Sequence, residues 1–520
     1  MCVETTIVRV DPFHPDDRLL MPCAEALRAG KTVAFPTETV YGLGANALMP
    51  SAVQRVFQAK GRPQDNPLIV HISRLEAVPP LVLDVSDSAR RLMHMFWPGP
   101  LTLLFPKSEF IPDSVTAGLP SVGIRMPDHP VAQRLLDLAG VPVAAPSANI
   151  SGSPSPTTSE AVVADLYGKV DFIVDGGNTE IGVESTVLDL STEIPRILRP
   201  GGLSVEELSS VLGSVEVFHF QGDGPAPSPG MKYRHYAPKG EVYMAVGSAA
   251  EQATSIIAHG VSALMASHKV VVLASSENLS RYGAIEEAFD RSFAVVELGP
   301  RTDLARVASR LFSSLRYADT LEASVILAES FPETGLGLAI QNRLDRAGGG
   351  RRLTFRPGVS VIMVCTGNTC RSPMAEVIFR RAWEDAGAPY PIRVASRGIS
   401  AVCGMPAADE AVLVVKDLGL DLSSHEARRI SAADFDEADL VIAMTESHKN
   451  ALLQGFPLSH AKIYTLSELV PNVIKGDLSD PIGLGQAVYE QTALLLKDGL
   501  TELALGLAGV RRERFEDSDR

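Results

Sequence analysis

The sequence predicts a multidomain α/β protein: a mixed α/β domain, then a small Rossmann-like α/β domain, then a doubly wound parallel-sheet domain. Three observations lead there. At 520 residues the chain is too long for one hydrophobic core, since a domain usually takes roughly 100–200 residues. Two turn-rich stretches interrupt it, FQGDGPAPSPGMKYRHYAPKG and LDRAGGGRRLTFRPG, in which Pro and Gly break regular structure. Between these stretches, β-rich runs alternate with helical periodicity. The boundaries that follow are a domain at 1–215, a linker at 216–240, a domain at 241–345, a second linker at 346–357 and a domain at 358–510.

The first domain mixes short β-rich runs (TVAFPT, LTLLF, VGIRM, PVAAPS, DFIVDGG, STVLDLS) with helical patterns such as AVQRVFQAK and VAQRLLDLAG. The second alternates EVYMAVG, KVVVLASS, FAVVELG and ASVILAES with helices such as LARVASRLFSSLRYADTL, which implies a small, mainly parallel sheet. In the third, VSVIMVC, IRVASRGI, ADLVIAMT and AKIYTL repeat that logic between helices.

Composition narrows the function classes. Apolar residues are 45% and charged residues 21%, ordinary for a globular protein, and no run approaches the ~18 apolar residues of a membrane helix. The opening MCVETTIVRVDPFHPDD carries acids where a secretory signal would carry lysines and an apolar stretch, so a cytoplasmic protein is expected. Five cysteines, at 2, 23, 365, 370 and 403, form no disulfide framework and no CxxC metal pair. A net charge of −15 argues against strong direct binding of long nucleic acid.

The stretch SVIMVCTGNTCRSPMAE ends an apolar strand on Cys365 and places Arg371 where a helix should begin. Backbone N–H groups in such a loop converge on one point and, with the helix dipole, cradle an anion. A thiol held there is stabilised as thiolate and attacks at neutral pH. The planar guanidinium of Arg371 can grip two phosphoryl oxygens. The bland alternative is an apolar cysteine at a strand end.

The whole string VCTGNTCRSP resembles the signature loop of the low-molecular-weight protein phosphatases. The resemblance implies a phosphocysteine intermediate on Cys365, with phosphate held by Arg371 and the loop Thr366, Gly367, Asn368, Thr369, Cys370 and Ser372. The Ser372 hydroxyl would support the leaving thiolate and Asn368 would hold the loop's turn. The family takes its general acid from an Asp-Pro pair before the last helix, and Asp480-Pro481 stands there. Ile482 follows where an aromatic residue is frequent. Thr369 occupies a position that is bulky and apolar in tyrosine-directed members and threonine in the arginine phosphatases. Protein phosphoarginine is therefore the expected substrate, with phosphotyrosine as the alternative. The thioredoxin-coupled arsenate reductases share the loop but need a closely spaced further cysteine pair, and only Cys403 follows Cys370. A non-catalytic phosphopeptide binder would not need the thiol.

In the first domain Lys60, Arg62, Arg125 and Arg199 supply cations around Ser147, Asn149 and Ser185, a set suited to a polyphosphate and a small carboxylate-bearing ligand. Singly, such cations are mostly surface charges. The ordered motifs KTVAFPTETVYGLGANA, QAKGRPQDNPLIVHI, FWPGPLTLLF, SVGIRMPDHP, PVAAPSANISGSPSPTT, VESTVLDLS and ILRPGG resemble the YrdC-like domain of the L-threonylcarbamoyladenylate synthases. The linker SPGMKYRHYAP and the segment GLGLAIQNRLDRAGGG resemble the extra C-terminal domain of that family's long form.

This resemblance implies that L-threonine, bicarbonate and ATP, with Mg on the phosphates, give threonylcarbamoyl-AMP and pyrophosphate. A separate tRNA-modifying transferase complex would receive the product. On the ATP side it implies Lys60, Arg62, Asn66, Ser121, Ser147, Asn149, Ser155, Arg199 and a linker tyrosine, Tyr236. On the threonine side it implies Thr37, Thr39, His71, Arg125, Ala145 and Ser185. Tyr233, His235 and Tyr236 would fold over the site as a lid. An RNA-binding module is the alternative for this domain.

Overall fold

The computed structural model describes residues 3–218, 228, 235–265, 267–289, 292–388, 390–457 and 462–508. Most of the expected 216–240 linker, Tyr233 included, lies outside them. The chain forms two units. The first comprises Met1–Val242, Leu298–Glu322 and Phe331–Arg351; the second comprises Tyr243–Glu297, Ala323–Ser330 and Arg352–Arg520. Residues of the expected 241–345 domain thus belong to both.

The first unit is built on an eleven-stranded sheet among the described residues. Its centre is mixed, as expected. Val33–Phe35 and Gly42–Asn46 form an antiparallel pair, and Gly42–Asn46 runs antiparallel to Val143–Ala144. Ile69–His71 then lies antiparallel to Val143–Ala144 and parallel to Ser121–Arg125. Leu101–Pro106 joins Ser121–Arg125 antiparallel and Thr186–Asp189 parallel. The period of two sorts each strand's side chains between two faces. Val33 and Phe35 pack with Leu20 and Leu27 of the helix Asp17–Arg28 and with Val131 and Leu135 of the helix Pro130–Ala139. Ala34 joins the other cluster with Tyr41, Leu43 and Val162. Each fully buried Leu or Val contributes about 1.5–3 kcal/mol.

Gly42–Asn46, which holds the glycines of KTVAFPTETVYGLGANA and is not among the β-rich runs read from the sequence, is a strand. Glycine weakens a strand, yet a Cβ on Gly44 would lie 2.6 Å from Val143 Cγ1 and 2.8 Å from Phe35 Cε1. Close packing overrides propensity here. The helices Leu304–Thr320 and Gly337–Gly348 also lie in this unit. Arg316 on the former donates to Asp165 at 2.7 Å and to Pro154 O at 2.6 Å.

Among the described residues the second unit is built on two four-stranded sheets. In one, Val270–Ser275 runs parallel to Val325–Glu329. The other has the order Ile392–Gly398, Val359–Cys365, Leu440–Ala443, Ile463–Thr465, all parallel. Val359–Cys365 is apolar almost throughout because both its faces are covered. Val361 and Met363 pack with Met374 and Phe379 of the helix Arg371–Asp385 and with Leu496 and Leu500 of the helix Gln486–Leu507. Ile362 and Val364 meet Val441, Leu452 and Ile463 on the opposite face. That is the doubly wound layout, whose ligand sites lie at the carboxyl ends of the strands. Among the described residues no helix is long and apolar enough to cross a membrane.

Candidate active sites

One cavity in the first unit gathers residues from elements far apart in sequence. The hairpin contributes Thr37, Val40, Tyr41 and Gly42, and the strand ends contribute Ile69, His71, Arg125 and Arg199. Arg62, Ala145, Pro146, Ser147, Glu184 and Ser185 come from loops, and His235 and Tyr236 from the end of the linker. The Thr37 hydroxyl donates to Val40 O at 2.6 Å, so in its 2.8 Å contact with Thr39 Oγ1 it is the acceptor. This turn, closed by a side chain, fixes both threonines before any ligand binds.

The cations are held apart from one another by specific acceptors. Arg199 donates to Ser185 O at 2.9 Å and Ser185 Oγ at 3.1 Å. Arg125 lies 2.6 Å from Glu38 Oε1, both side chains being 5% exposed. That contact is one of charge, because the N–H directions miss and both Glu38 oxygens stay without a hydrogen-bond donor. Burial, reinforced by Arg125, drives His71 down to about 3, so the imidazole is neutral. Burial and then Arg62 lower Lys60 well below the usual lysine range. Lys60 is nonetheless held by Ser147 O and by Asn149 O at 2.5 Å.

The second site is the loop after Val359–Cys365. Asn368 N donates to Cys365 Sγ at 3.3 Å and Ser372 Oγ is 3.0 Å from the sulfur. The single Ser372 hydrogen chooses between the sulfur and Arg397 O at 3.2 Å. Asn368 sits at φ +59, an unfavourable conformation that its contacts support. Its Nδ2 donates to Ser372 Oγ at 3.0 Å, its Oδ1 accepts from Arg428 N at 2.8 Å, and His425 Nε2 is 2.7 Å from its carbonyl. Beneath the loop, a Cβ on Gly398 would lie 2.7 Å from Thr366 O and 2.9 Å from Asn368 N. Arg371 donates to Leu478 O at 3.0 Å and to Asp480 Oδ2 at 2.5 Å, while its buried Nε has no partner. Asp480 is brought to the loop across more than a hundred residues of sequence.

Three family models match successive stretches of the chain. Residues 25–201 match the family described as "Telomere recombination", residues 203–349 that described as "Threonylcarbamoyl-AMP synthase, C-terminal domain", and residues 360–515 "Low molecular weight phosphotyrosine protein phosphatase". The threonylcarbamoyl-AMP synthase of Pyrococcus abyssi is 47% identical over 328 residues, 62% of this chain and 92% of that protein. That of Bacillus subtilis is 46% identical over 346 residues, 66% of this chain and 96% of that protein. The chain belongs to the threonylcarbamoyl-AMP synthase family. A crystal structure of the P. abyssi Sua5 protein with L-threonine is similar at a TM-score of 0.63 and 44% identity, covering 68% of this chain and all of that one.

Within the synthase part, Arg62, Ser147, Arg199, Tyr236, Thr37, His71, Arg125, Ala145 and Ser185 all line the one cavity. Lys60, Asn149 and Thr39 stand just behind it through the bonds above. Ser155 donates to Glu184 Oε1 at 2.6 Å from a fully buried position. Asn66 is buried, and neither of its amide atoms bonds to another group of the chain. Ser121 lies elsewhere, in a small recess with Thr102, Leu104 and Val187. Sequence reasoning missed Glu38, Glu184 and Tyr41. The signal was present for the two acids, which sit inside the motifs PTETV and VEST with apolar or hydroxyl neighbours.

In the phosphatase part the expected residues come together around Cys365. Cys370 is buried with its sulfur 3.0 Å from the Tyr489 hydroxyl. His425, His448 and Tyr489 were missed, since nothing in the loop's spacing points to partners so distant in sequence. His448 Nε2 is 2.8 Å from Thr366 Oγ1, and burial, with Arg371 nearby, lowers its pKa. Ile482 is 63% exposed and places an aliphatic rather than aromatic side chain after the acid.

Proposed function

We propose that the first unit forms threonylcarbamoyl-AMP. The observation that carries this is one buried cavity holding Arg62, Arg125 and Arg199 beside a neutral His71 and prefixed threonines. In this reading the Arg125 guanidinium exchanges Glu38 for the carboxylate of L-threonine. The threonine amine takes up bicarbonate with loss of water, giving N-carboxythreonine. Its new carboxylate attacks the α-phosphorus of ATP and pyrophosphate leaves. Arg62 and Arg199 neutralise the phosphates, Lys60 holds Ser147 and Asn149 in place behind them, and Asn66 offers its amide to the nucleotide. The work is positioning and charge compensation. Tyr236 and His235 close the cavity from the linker side, excluding water from a labile product. Among the described residues no three His, Cys, Asp or Glu side chains gather as a metal site. Magnesium in this reading arrives on the phosphates of ATP. The product passes to a transferase that acts on tRNA. ATP–pyrophosphate exchange that requires both threonine and bicarbonate is the expected result; exchange indifferent to either would overturn the reading.

We propose further that residues 358–508 hydrolyse protein phosphoarginine. Cys365 Sγ attacks phosphorus, Asp480 protonates the leaving guanidine, and water then cleaves the phosphocysteine with Asp480 taking its proton. The incoming phosphoryl group replaces Asp480 on Arg371 and takes the free Nε. Thr369 and the aliphatic Ile482 favour a flexible guanidinium-bearing chain over a flat ring. On a panel of phosphoarginine and phosphotyrosine substrates, phosphoarginine is expected to be cleaved faster, and Thr369→Ile to shift the ratio toward phosphotyrosine by about tenfold or more. Faster cleavage of phosphotyrosine by the wild type would sink the assignment and leave phosphotyrosine as the substrate, and an unchanged ratio in Thr369→Ile would remove Thr369 from the discrimination.

A further inference from the structure

Arg343, on the helix Gly337–Gly348, is fully buried beside the synthase cavity. Its Nε donates to Glu184 Oε2 at 2.8 Å, and its Nη1 donates to Pro200 O and Asn342 Oδ1 at 2.8 and 2.9 Å. Its guanidinium also lies 5.4 Å from the centre of the Tyr236 ring, which packs on Phe312 at 5.2 Å. Glu184 lines the cavity and is bound on its other oxygen by Ser155.

The backbones that carry these groups touch. A Cβ on Gly201 would lie 2.3 Å from Glu184 O, so Glu184 and Arg199 are held side by side. Against the upward push of burial, Arg343 and Arg199 both keep the Glu184 carboxyl ionised. Two arginines therefore compete for one carboxylate in a site of low dielectric, where an uncompensated charge is very costly. The observed hydrogen bonds settle that competition: Glu184 is bonded to Arg343, and Arg199 is bonded to Ser185.

We infer that Arg343 is a positioning residue of the synthase: by holding the Glu184 carboxylate it keeps that group off Arg199, and so leaves Arg199 to the phosphates of ATP. The inference rests on the synthase reading of the cavity. Without Arg343, Glu184 turns to the nearest remaining cation and becomes an internal competitor of the nucleotide. The defect is then one of ATP binding, and it depends on the charge of residue 184.

The test is steady-state formation of threonylcarbamoyl-AMP by the full chain, with KM for ATP and kcat measured for wild type, Arg343→Gln, Glu184→Gln and the double variant. Arg343→Gln should raise the KM for ATP about tenfold or more with a smaller fall in kcat, and in the Glu184→Gln background by less than about threefold. An equal factor in both backgrounds, or an effect on kcat alone, would overturn the inference. Should Arg343→Gln fail to fold, Arg343→Lys is judged in the same two backgrounds by the same criterion. A wild-type chain that makes no product would instead overturn the synthase reading.

Discussion

Cys365→Ala should lower phosphatase turnover by about three orders of magnitude or more while ATP-dependent threonylcarbamoyl-AMP formation stays at the wild-type level. The size follows from the geometry. The sulfur receives Asn368 N–H at 3.3 Å and faces the Ser372 hydroxyl at 3.0 Å, and no other nucleophile in the loop has both. Cys370 is not a substitute, because its sulfur is buried against Tyr489. Removing Sγ leaves the anion cradle of Arg371 and the loop amides intact, so the variant should still bind phosphorylated protein. Phosphate release from a phosphoarginine protein, read beside the synthase assay on one preparation, checks both halves. Residual turnover within tenfold of wild type would remove Cys365 from the chemistry.

Arg125→Ala should damage the synthase in two separable ways. Arg125 and Glu38 are each 5% exposed in their side chains, and deleting one partner of a buried ion pair costs about 3–5 kcal/mol. Under the proposed function the same change removes the cation that meets the threonine carboxylate, so the KM for threonine should rise about a hundredfold, the worth of a lost charged contact of roughly 3 kcal/mol. The double variant Arg125→Met with Glu38→Gln tells the two apart. It should regain most of the stability in a denaturant titration, since no buried charge is stranded, and none of the threonine affinity. Recovery of both would mean that Arg125 only supports the fold.

The sequence was most legible where chemistry needs a contiguous string. CTGNTCRSP sits at the end of a buried strand; its residue types pointed to an anion-holding loop, and the roles of its members were those that the resemblance implied. The alternating strands of the second unit were equally clear, because VSVIMVC and ADLVIAMT are apolar on both faces and nothing but covered strands satisfies them. The synthase cavity was legible as a set of cations and hydroxyls, but not as an arrangement. Glu38 and Glu184 escaped notice because an acid reads as solvated until its buried partner is known, and Arg343 lies 159 residues from the carboxylate that explains it. The strand Gly42–Asn46 was hidden by its glycines, whose reason is the closeness of Val143 and Phe35. The division of residues 241–345 between two units had no local signal, since strand and helix patterns do not state which neighbour each element packs on.

The contact between Asp480 and Arg371 places a carboxylate of the chain where, under the proposed function, the phosphoryl group would bind. A carboxylate tethered to the chain stands at the guanidinium at an effective concentration of about millimolar or above, and any visiting anion must outbid it. Singly charged buffer ions offer no more than the carboxylate already supplies. A phosphoryl dianion does, because it also takes the unpartnered Nε and the loop amides. Under the proposed function the selection is thus made on charge and on the number of oxygens before the chain carrying the phosphate is inspected, and the carboxylate that leaves the guanidinium must take up a proton from solvent before it can protonate the leaving guanidine.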